Sequence, residues 1–257
     1  MPDLTFLGTG TSNGVPAIGC RCPVCTSSDP RDTRTRSSAF VRLGEHVVLI
    51  DTATELRVQA LRAGLDRVDA VLMTHPHADH TGGFDDLRRF NELGGKHLPV
   101  YADPGTASVL RERYAYTFVD EYPFYGGKPD LLLHEVRGSF DLFGTDVVPV
   151  PVFHGQLPIV GYRFGDLAYL TDAKTVPADS VDLLRGVDVL VINALRERPH
   201  PTHLNVSEAL DVVEAVGPRE AWLTHVSHEL AHAHTDRLLP PHVRVAFDGL
   251  TISSRGG

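Results

Sequence analysis

Short β-branched runs recur along the chain: HVVLID (46–51), DAVLMTH (69–75), LPVYA (98–102), DVVPVPVFH (146–154), LAYLTD (167–172), DVLVINA (188–194) and EAWLTH (220–225). Between them lie segments with helical periodicity, such as ATELRVQALRAG (53–64) and NVSEALDVVEAVG (205–217). Strands therefore alternate with helices. Hairpin-like strands, DLTFLGTG (3–10), SSAFVRLG (37–44) and HVVLID, precede the first helix, and a second β-rich stretch (132–155) opens the other half. This doubled β-then-α layout predicts an α/β fold in which two facing sheets are covered by helices.

A chain of 257 residues, 42% hydrophobic and 22% charged, can bury a full core. No repeat, composition shift or low-complexity linker divides it, so residues 1–257 are expected to form one domain. FVDEYPFYGGKPD (118–130) reads as an irregular insertion and SSRGG (253–257) as a loose tail.

The formal net charge of -9 argues against a surface built to hold long nucleic acid, which is bound mainly through clustered Lys and Arg. Arg31, Arg34, Arg36 and Arg42 read as a solvated face. MPDLTFLGTG runs straight into a strand-like segment, and no apolar run reaches membrane-spanning length, which predicts a cytoplasmic protein.

The chain's three cysteines, Cys20, Cys22 and Cys25, stand together in GCRCPVC. They cannot all pair within the chain, and Cys20 and Cys22 are too close for a relaxed disulfide. Metal binding, redox chemistry or chance remains. C-x-C-x-x-C supplies three thiolates, one ligand short of the tetrahedral shell of structural zinc.

The densest chemistry follows the strand VDAVLMT. His75-Pro76-His77-Ala78-Asp79-His80 sits on one loop before a helical pattern, FDDLRRF. In such a loop His75 and His77 can face one side while Asp79 and His80 wrap around from the next turn, so it can serve two adjacent cations. Three further donors end apolar strands: His154, Asp172 and His225. Taken singly, His154 could be a core histidine, Asp172 a cap for a helix over AKTVPAD (173–179), and His225 a loop residue. Their repeated placement at strand ends favours a site. Asp51, closing HVVLID, is either a turn residue or a support for ligands.

On H-x-H-x-D-H and the later single His, Asp and His, the sequence resembles the metallo-β-lactamase superfamily. The resemblance implies an αββα four-layer sandwich. It places His75, His77 and His154 on one metal and Asp79, His80 and His225 on the other, with Asp172 bridging and Asp51 supporting from behind. Within the superfamily, G-T-G-T-S-x-G-V-P, then G-C-x-C-x-x-C, then the metal motif, then LTHVSHEL (223–230) resembles the phosphoribosyl 1,2-cyclic phosphate phosphodiesterases of the carbon-phosphorus lyase pathway.

That resemblance implies a hydrolase, commonly a homodimer in its family, with two divalent cations, zinc or manganese, and a small phosphorylated sugar or cyclic phosphate as substrate. It makes His203 of HPTHLN the acid that assists the departing oxygen, with Asp79 also at the catalytic centre. It also gives Cys20, Cys22 and Cys25 a fourth zinc ligand, His228. His200 competes with His203 for the acid role, and Asn205 also reads as a helix cap beside it. Asn193-Ala194-Leu195 departs from the acidic, Ser/His-containing segment that the resemblance implies there. Rival readings are a tRNA 3′-end endonuclease, a pyrroloquinoline quinone biosynthesis type of carrier, and a lactamase or thioester hydrolase. The charge opposes the first, the complete ligand set the second, and the cysteines with His203 the third.

Overall fold

In the computed structural model, which describes residues 2–119 and 127–254, the alternating pattern becomes two seven-stranded mixed sheets. The first contains β1 (Asp3–Gly8), β2 (Ser38–Leu43), β3 (His46–Ile50), β4 (Ala70–Leu72), β5 (Leu98–Ala102) and β6 (Leu131–Glu135). The second contains β7 (Phe140–Leu142), β8 (Thr145–His154), β9 (Leu157–Phe164), β10 (Leu167–Tyr169), β11 (Val189–Asn193), β12 (Glu220–Thr224) and β13 (Val243–Val245). A last strand, β14 (Thr251–Ser253), returns to pair antiparallel with β1.

Each sheet is antiparallel on one side and parallel on the other. In the first, β1 to β3 are antiparallel neighbours and β3 to β6 parallel ones. In the second, β7 to β10 are antiparallel and β10 to β13 parallel. Parallel strands need crossovers, and the helices supply them. These are α1 (Leu56–Ala63), α2 (Ala78–Thr81), α3 (Leu87–Gly94), α4 (Pro104–Arg113), α5 (Ala178–Leu184), α6 (Val206–Val216) and α7 (His232–Leu238).

Three apolar clusters explain why HVVLI and VLVIN are apolar without a break. Val48, Ile50, Val189 and Val191 pack between the sheets. Their strand neighbours point outward: Val47 and Leu49 join Phe84, Leu87 and Leu110 under the first helical layer. Leu190 and Ile192 join Leu184, Ala209 and Val213 under the second. Strands buried on both faces lose the period of two. The result is the expected αββα sandwich.

The expected strands and the two expected helical segments are present, although α1 begins only at Leu56. Of the segment AKTVPAD only Ala178 and Asp179 are helical; α5 starts at Ala178 with Pro177 as its cap, so Asp172 does not cap it. Of the expected insertion over 118–130, residues 120–126 lie outside the described part, as do the last three of the tail. No helix among the described residues is long and apolar enough to cross a membrane.

In the arginine stretch, Arg42 is exposed as expected, while Arg34 departs from the expectation of a solvated face. Arg34 is 2% exposed, and it donates to Thr9 Oγ1 at 2.8 Å and to the Ala246 carbonyl at 2.6 Å. Its other terminal nitrogen lies 3.1 Å from His232 Nδ1. Arg36 pairs with Glu55, and Arg31 with Asp29 at 2.7 Å. Alternation in a loop carries no signal of which side is inside.

Two close approaches hold the first sheet's loops. Gly83 donates to the Thr52 carbonyl at 2.9 Å, and a Cβ there would lie 2.4 Å from the Ala53 oxygen and 2.6 Å from Leu56 Cβ. Gly83→Ala is expected to cost about 1–3 kcal/mol in denaturant unfolding, because backbone must shift to admit the methyl. Asp69, 1% exposed, accepts from Val47 N–H at 2.9 Å, Lys96 Nζ at 2.7 Å and Arg67 Nε at 3.0 Å. Burial pushes its carboxyl up, but these donors outweigh burial and leave it below the usual carboxylate value. Its ionised form therefore adds stability above the unfolded carboxylate pKa, and that contribution is lost as pH falls through the folded value. Asp69→Asn should lower the melting temperature at pH 7 and flatten its decline in the acid range; an unchanged acid limb would count against this role.

Candidate metal centre

The chain turns sharply where its strands end, and the turns bring the polar residues together. Asp51 follows β3, the His75–His80 loop follows β4, His154 ends β8, Asp172 follows β10 and His225 follows β12. Asp51, Asp172 and His225 have left-handed backbones, with φ of 58°, 57° and 55°. For residues with a Cβ this conformation costs about 1–2 kcal/mol each. Such strain persists where surrounding structure imposes it, and it gathers at functional sites.

Hydrogen bonds behind the rings decide which nitrogen faces the site. Asp51 is wholly buried; it accepts from Thr74 N–H at 2.8 Å, from Thr74 Oγ1 at 2.7 Å and from His80 Nδ1 at 2.7 Å. With its hydroxyl proton directed at Asp51, Thr74 Oγ1 accepts from His75 Nδ1 at 2.9 Å. One carboxylate thus orients two rings, His80 directly and His75 through Thr74. His154 Nδ1 donates to the Thr202 carbonyl at 2.7 Å. In all three rings the Nε2 lone pair is left for the site.

Donor atoms of Asp79, His80, Asp172 and His225 all lie within 4.8 Å of one another, as do those of His154, Asp172 and His203. Asp172 belongs to both groups. Its Oδ2 is 3.1 Å from His80 Nε2, and its Oδ1 is 3.1 Å from both His225 Nε2 and His203 Nε2. Asp79 Oδ2 is 3.4 Å from His80 Nε2 and 3.8 Å from His225 Nε2. The rings of His75, His77 and His154 converge on the other side, with centroids 4.7, 5.0 and 5.8 Å apart.

The group of Asp79, His80, Asp172 and His225 has the donor chemistry and spacing that fit a divalent cation. Nε2 of His75, His80 and His225 is buried and makes no hydrogen bond among the described residues, despite carboxylate oxygens at 3.1 Å from two of them. Buried polar atoms without partners are uncommon. Two ligands about 2.1 Å from one tetrahedral ion stand roughly 3.4 Å apart, which is the spacing of these pairs.

Electrostatics divide the rings. Burial pushes His75 well below the usual histidine value. At His225 burial acts the same way, but Asp172 and Asp79 overcome it and raise the ring to about 9. His80 is raised as well, against burial, by Asp172 and Asp51. The Asp172 carboxyl is held well below its ordinary range by His225 and His80 despite the burial that opposes this.

His203 stands at the edge of this cluster. Its Nε2 faces Asp172, while Thr202 Oγ1 lies 3.0 Å from its Nδ1 and His200 Nδ1 lies 3.1 Å from the same atom. Burial lowers its pKa to about 4, with Asp172 acting in the opposite sense. The helix-cap reading of this segment also holds. Asn205 accepts from Glu208 N–H at 2.8 Å and Glu208 returns a bond to Asn205 N–H at 2.9 Å, closing a capping box on α6.

The cysteines form a second, separate group. His228 Nδ1 lies 3.1 Å from Cys20 Sγ and 3.5 Å from each of Cys22 Sγ and Cys25 Sγ. Around one tetrahedral zinc, sulfur and nitrogen ligands stand about 3.6 Å apart. The Cys25 backbone N–H draws the Cys22 thiol down to about 6, while burial lifts Cys25 to about 11. The sequence reading gave no supporting role to Thr74, whose hydroxyl bonds Asp51 and His75, to Thr202, whose carbonyl accepts from His154, or to Asn193, whose side chain bonds the backbone of Ala173. Thr74 and Asn193 end or follow apolar strands, and that placement was the signal that could have found them.

With the geometry in view, comparison with known proteins becomes informative. A beta-lactamase superfamily domain model matches residues 46–226. An octanoyltransferase of Porphyromonas gingivalis (strain ATCC BAA-308 / W83) is 42% identical over 253 residues, covering 95% of this chain and 50% of its own. The chain therefore spans about half the length of that curated relative. A ribonuclease Z of Mycobacterium sp. (strain KMS) is 28% identical, covering 88% of this chain and 84% of its own. The crystal structure of a diphosphatase from the PhnP family superposes with a TM-score of 0.92 at 42% identity, covering 99% of this chain and 98% of that one. The chain belongs to the beta-lactamase superfamily, and within it resembles the PhnP family.

Proposed function

We propose that this protein is a metal-dependent phosphodiesterase with a binuclear centre, acting on a small phosphate ester such as a phosphoribosyl 1,2-cyclic phosphate. The observation that supports the reading most is Asp172, which is shared by two donor groups, one with Asp79, His80 and His225 and one with His154 and His203.

His75, His77 and His154 would hold one cation, Asp79, His80 and His225 the other, and Asp172 both. Cys20, Cys22, Cys25 and His228 would hold a structural zinc. Two divalent cations, when bound, supply Lewis acidity to a phosphoryl oxygen and lower the pKa of water. His203 provides the proton that an alkoxide leaving group needs. Thr202 Oγ1, 3.0 Å from its Nδ1, orients the ring with Nε2 toward Asp172. Burial, helped by His225 and His154, lowers its pKa to about 4 and so favours the neutral ring at pH 7. An incoming phosphoester anion acts against burial and favours the charged ring.

The net charge of -9 supports a small substrate over a long RNA, despite the ribonuclease Z relative. The likeness to a diphosphatase over almost the whole of both chains supports a second reading, hydrolysis of a small diphosphate by the same residues. The transferase name of the other relative belongs to a protein twice as long and is not carried over.

Turnover of a phosphoribosyl 1,2-cyclic phosphate, a 2′,3′-cyclic nucleotide, a nucleoside diphosphate, a precursor tRNA and a β-lactam, on protein of measured metal content, tests this reading. Hydrolysis of a cyclic phosphate is expected; preference for the diphosphate would select the second reading, and cleavage of neither would overturn both. His203→Ala should lower kcat by about 10²–10⁴ with metal content unchanged. Asp172→Ala should lose the metals with the activity. Metal loss in the His203 variant would contradict its role as acid.

A further inference from the structure

Asp172 is asked to do something its backbone resists. It lies three residues beyond β10, in a left-handed conformation with φ of 57°, and must present its oxygens in opposite senses. Thr171 Oγ1 donates to Oδ2 at 2.6 Å, which fixes the carboxylate plane but leaves the main chain free to relax. What holds the main chain is on the next strand.

Asn193 ends β11 and is wholly buried. Its Oδ1 accepts from Ala173 N–H at 2.7 Å, and its Nδ2 donates to the Ala173 carbonyl at 2.9 Å. One side chain thus grips both backbone groups of the residue after Asp172. The same strand end is tied to the other side of the centre: Ala194 N–H donates to the Thr224 carbonyl at 2.9 Å, and Asn193 pairs in register with Thr224, which precedes His225. Asn193 therefore stands between the strand ends that carry Asp172 and His225.

The grip requires an amide. A carboxylate of the same length could accept from Ala173 N–H but has nothing to donate to its carbonyl, and it would add a buried negative charge beside the chain segment of Asp172. An apolar side chain would leave Ala173 N–H without a partner at a wholly buried residue. The neutral amide stands where the sequence resemblance implies an acidic segment, so the departure has a physical role. We infer that Asn193 is a positioning residue for the metal centre: it clamps Ala173 and so holds Asp172 in the left-handed conformation from which both of its oxygens reach their histidines. This rests on the reading of the centre as a metal site.

The test uses cobalt(II) as probe on the full chain, with Asn193→Asp and Asn193→Ala. Thiolate-to-cobalt charge-transfer absorption reports the cysteine group, and ligand-field absorption reports the histidine and carboxylate group in the same molecule. Chelator competition is expected to show cobalt affinity at the second group lower by about 10–100-fold in both variants, with the thiolate band retained and the protein still folded, though at a lowered melting temperature. In metal-free protein, hydrogen exchange over residues 171–175 should be at least several-fold faster in Asn193→Ala. Unchanged affinity and exchange would overturn the assignment. So would loss of both absorption bands together, which marks a residue that merely supports the fold. If the unaltered protein takes up no cobalt at the second group, the metal reading fails, and the exchange measurement alone then decides whether Asn193 clamps Asp172.

Discussion

The carboxylate of Asp172 is the point on which the rest of the structure closes. Three imidazole nitrogens, from His80, His203 and His225, stand 3.1 Å from its two oxygens. Each of those rings reaches it from a different part of the chain: a loop after the first sheet's β4, the segment before α6, and the end of β12. The contact can exist only if two separate sheets end at one edge and their last residues turn inward. A sandwich with a shared core of Val48, Ile50, Val189 and Val191 brings those ends together, and left-handed turns at Asp51, Asp172 and His225 aim them.

That geometry is unfavourable locally and is imposed from outside. Three left-handed residues with side chains cost a few kcal/mol together, at about 1–2 kcal/mol each. Buried rings whose Nε2 atoms lack hydrogen bonds add to the cost. The compensating contacts lie one residue behind the centre: Thr74 and His80 on Asp51, Thr202 on His154, Asn193 on Ala173. Each fixes a ring tautomer or a main-chain turn before any ligand arrives. A donor set organised this way has its ordering cost met by the fold, which is the condition for tight binding of a cation.

The elements were legible in the sequence where periodicity had one cause. Strands such as HVVLI and VLVIN are apolar on both faces, so their identity as strands could be read, and the spacing of H-x-H-x-D-H exposed the candidate ligands. The sequence could not show that Arg34 is buried, because a loop lacks the repeat that would separate inside from outside. Nor could it show the clamp of Asn193 on Ala173, which joins residues 20 apart through an amide whose two ends must be seen in place. Asp172 as a helix cap was a fair local reading that failed because Pro177 starts the next helix instead.

The cysteine group extends the same logic to the amino-terminal loop. Cys20, Cys22 and Cys25 gather on His228, three residues beyond His225. The loop is also laced to that segment through its backbone: Val226 N–H donates to the Thr9 carbonyl at 2.9 Å, and Thr11 N–H to the Val226 carbonyl at 3.2 Å. Buried Arg34 adds a third tie, from Thr9 Oγ1 to the Ala246 carbonyl. His225 therefore sits on a turn held from the far side at its next residue and again three residues on. Its φ of 55° is one that side chains rarely adopt, and these contacts surround it on both sides. The main chain from His225 to His228 connects the cysteine group to the carboxylate centre.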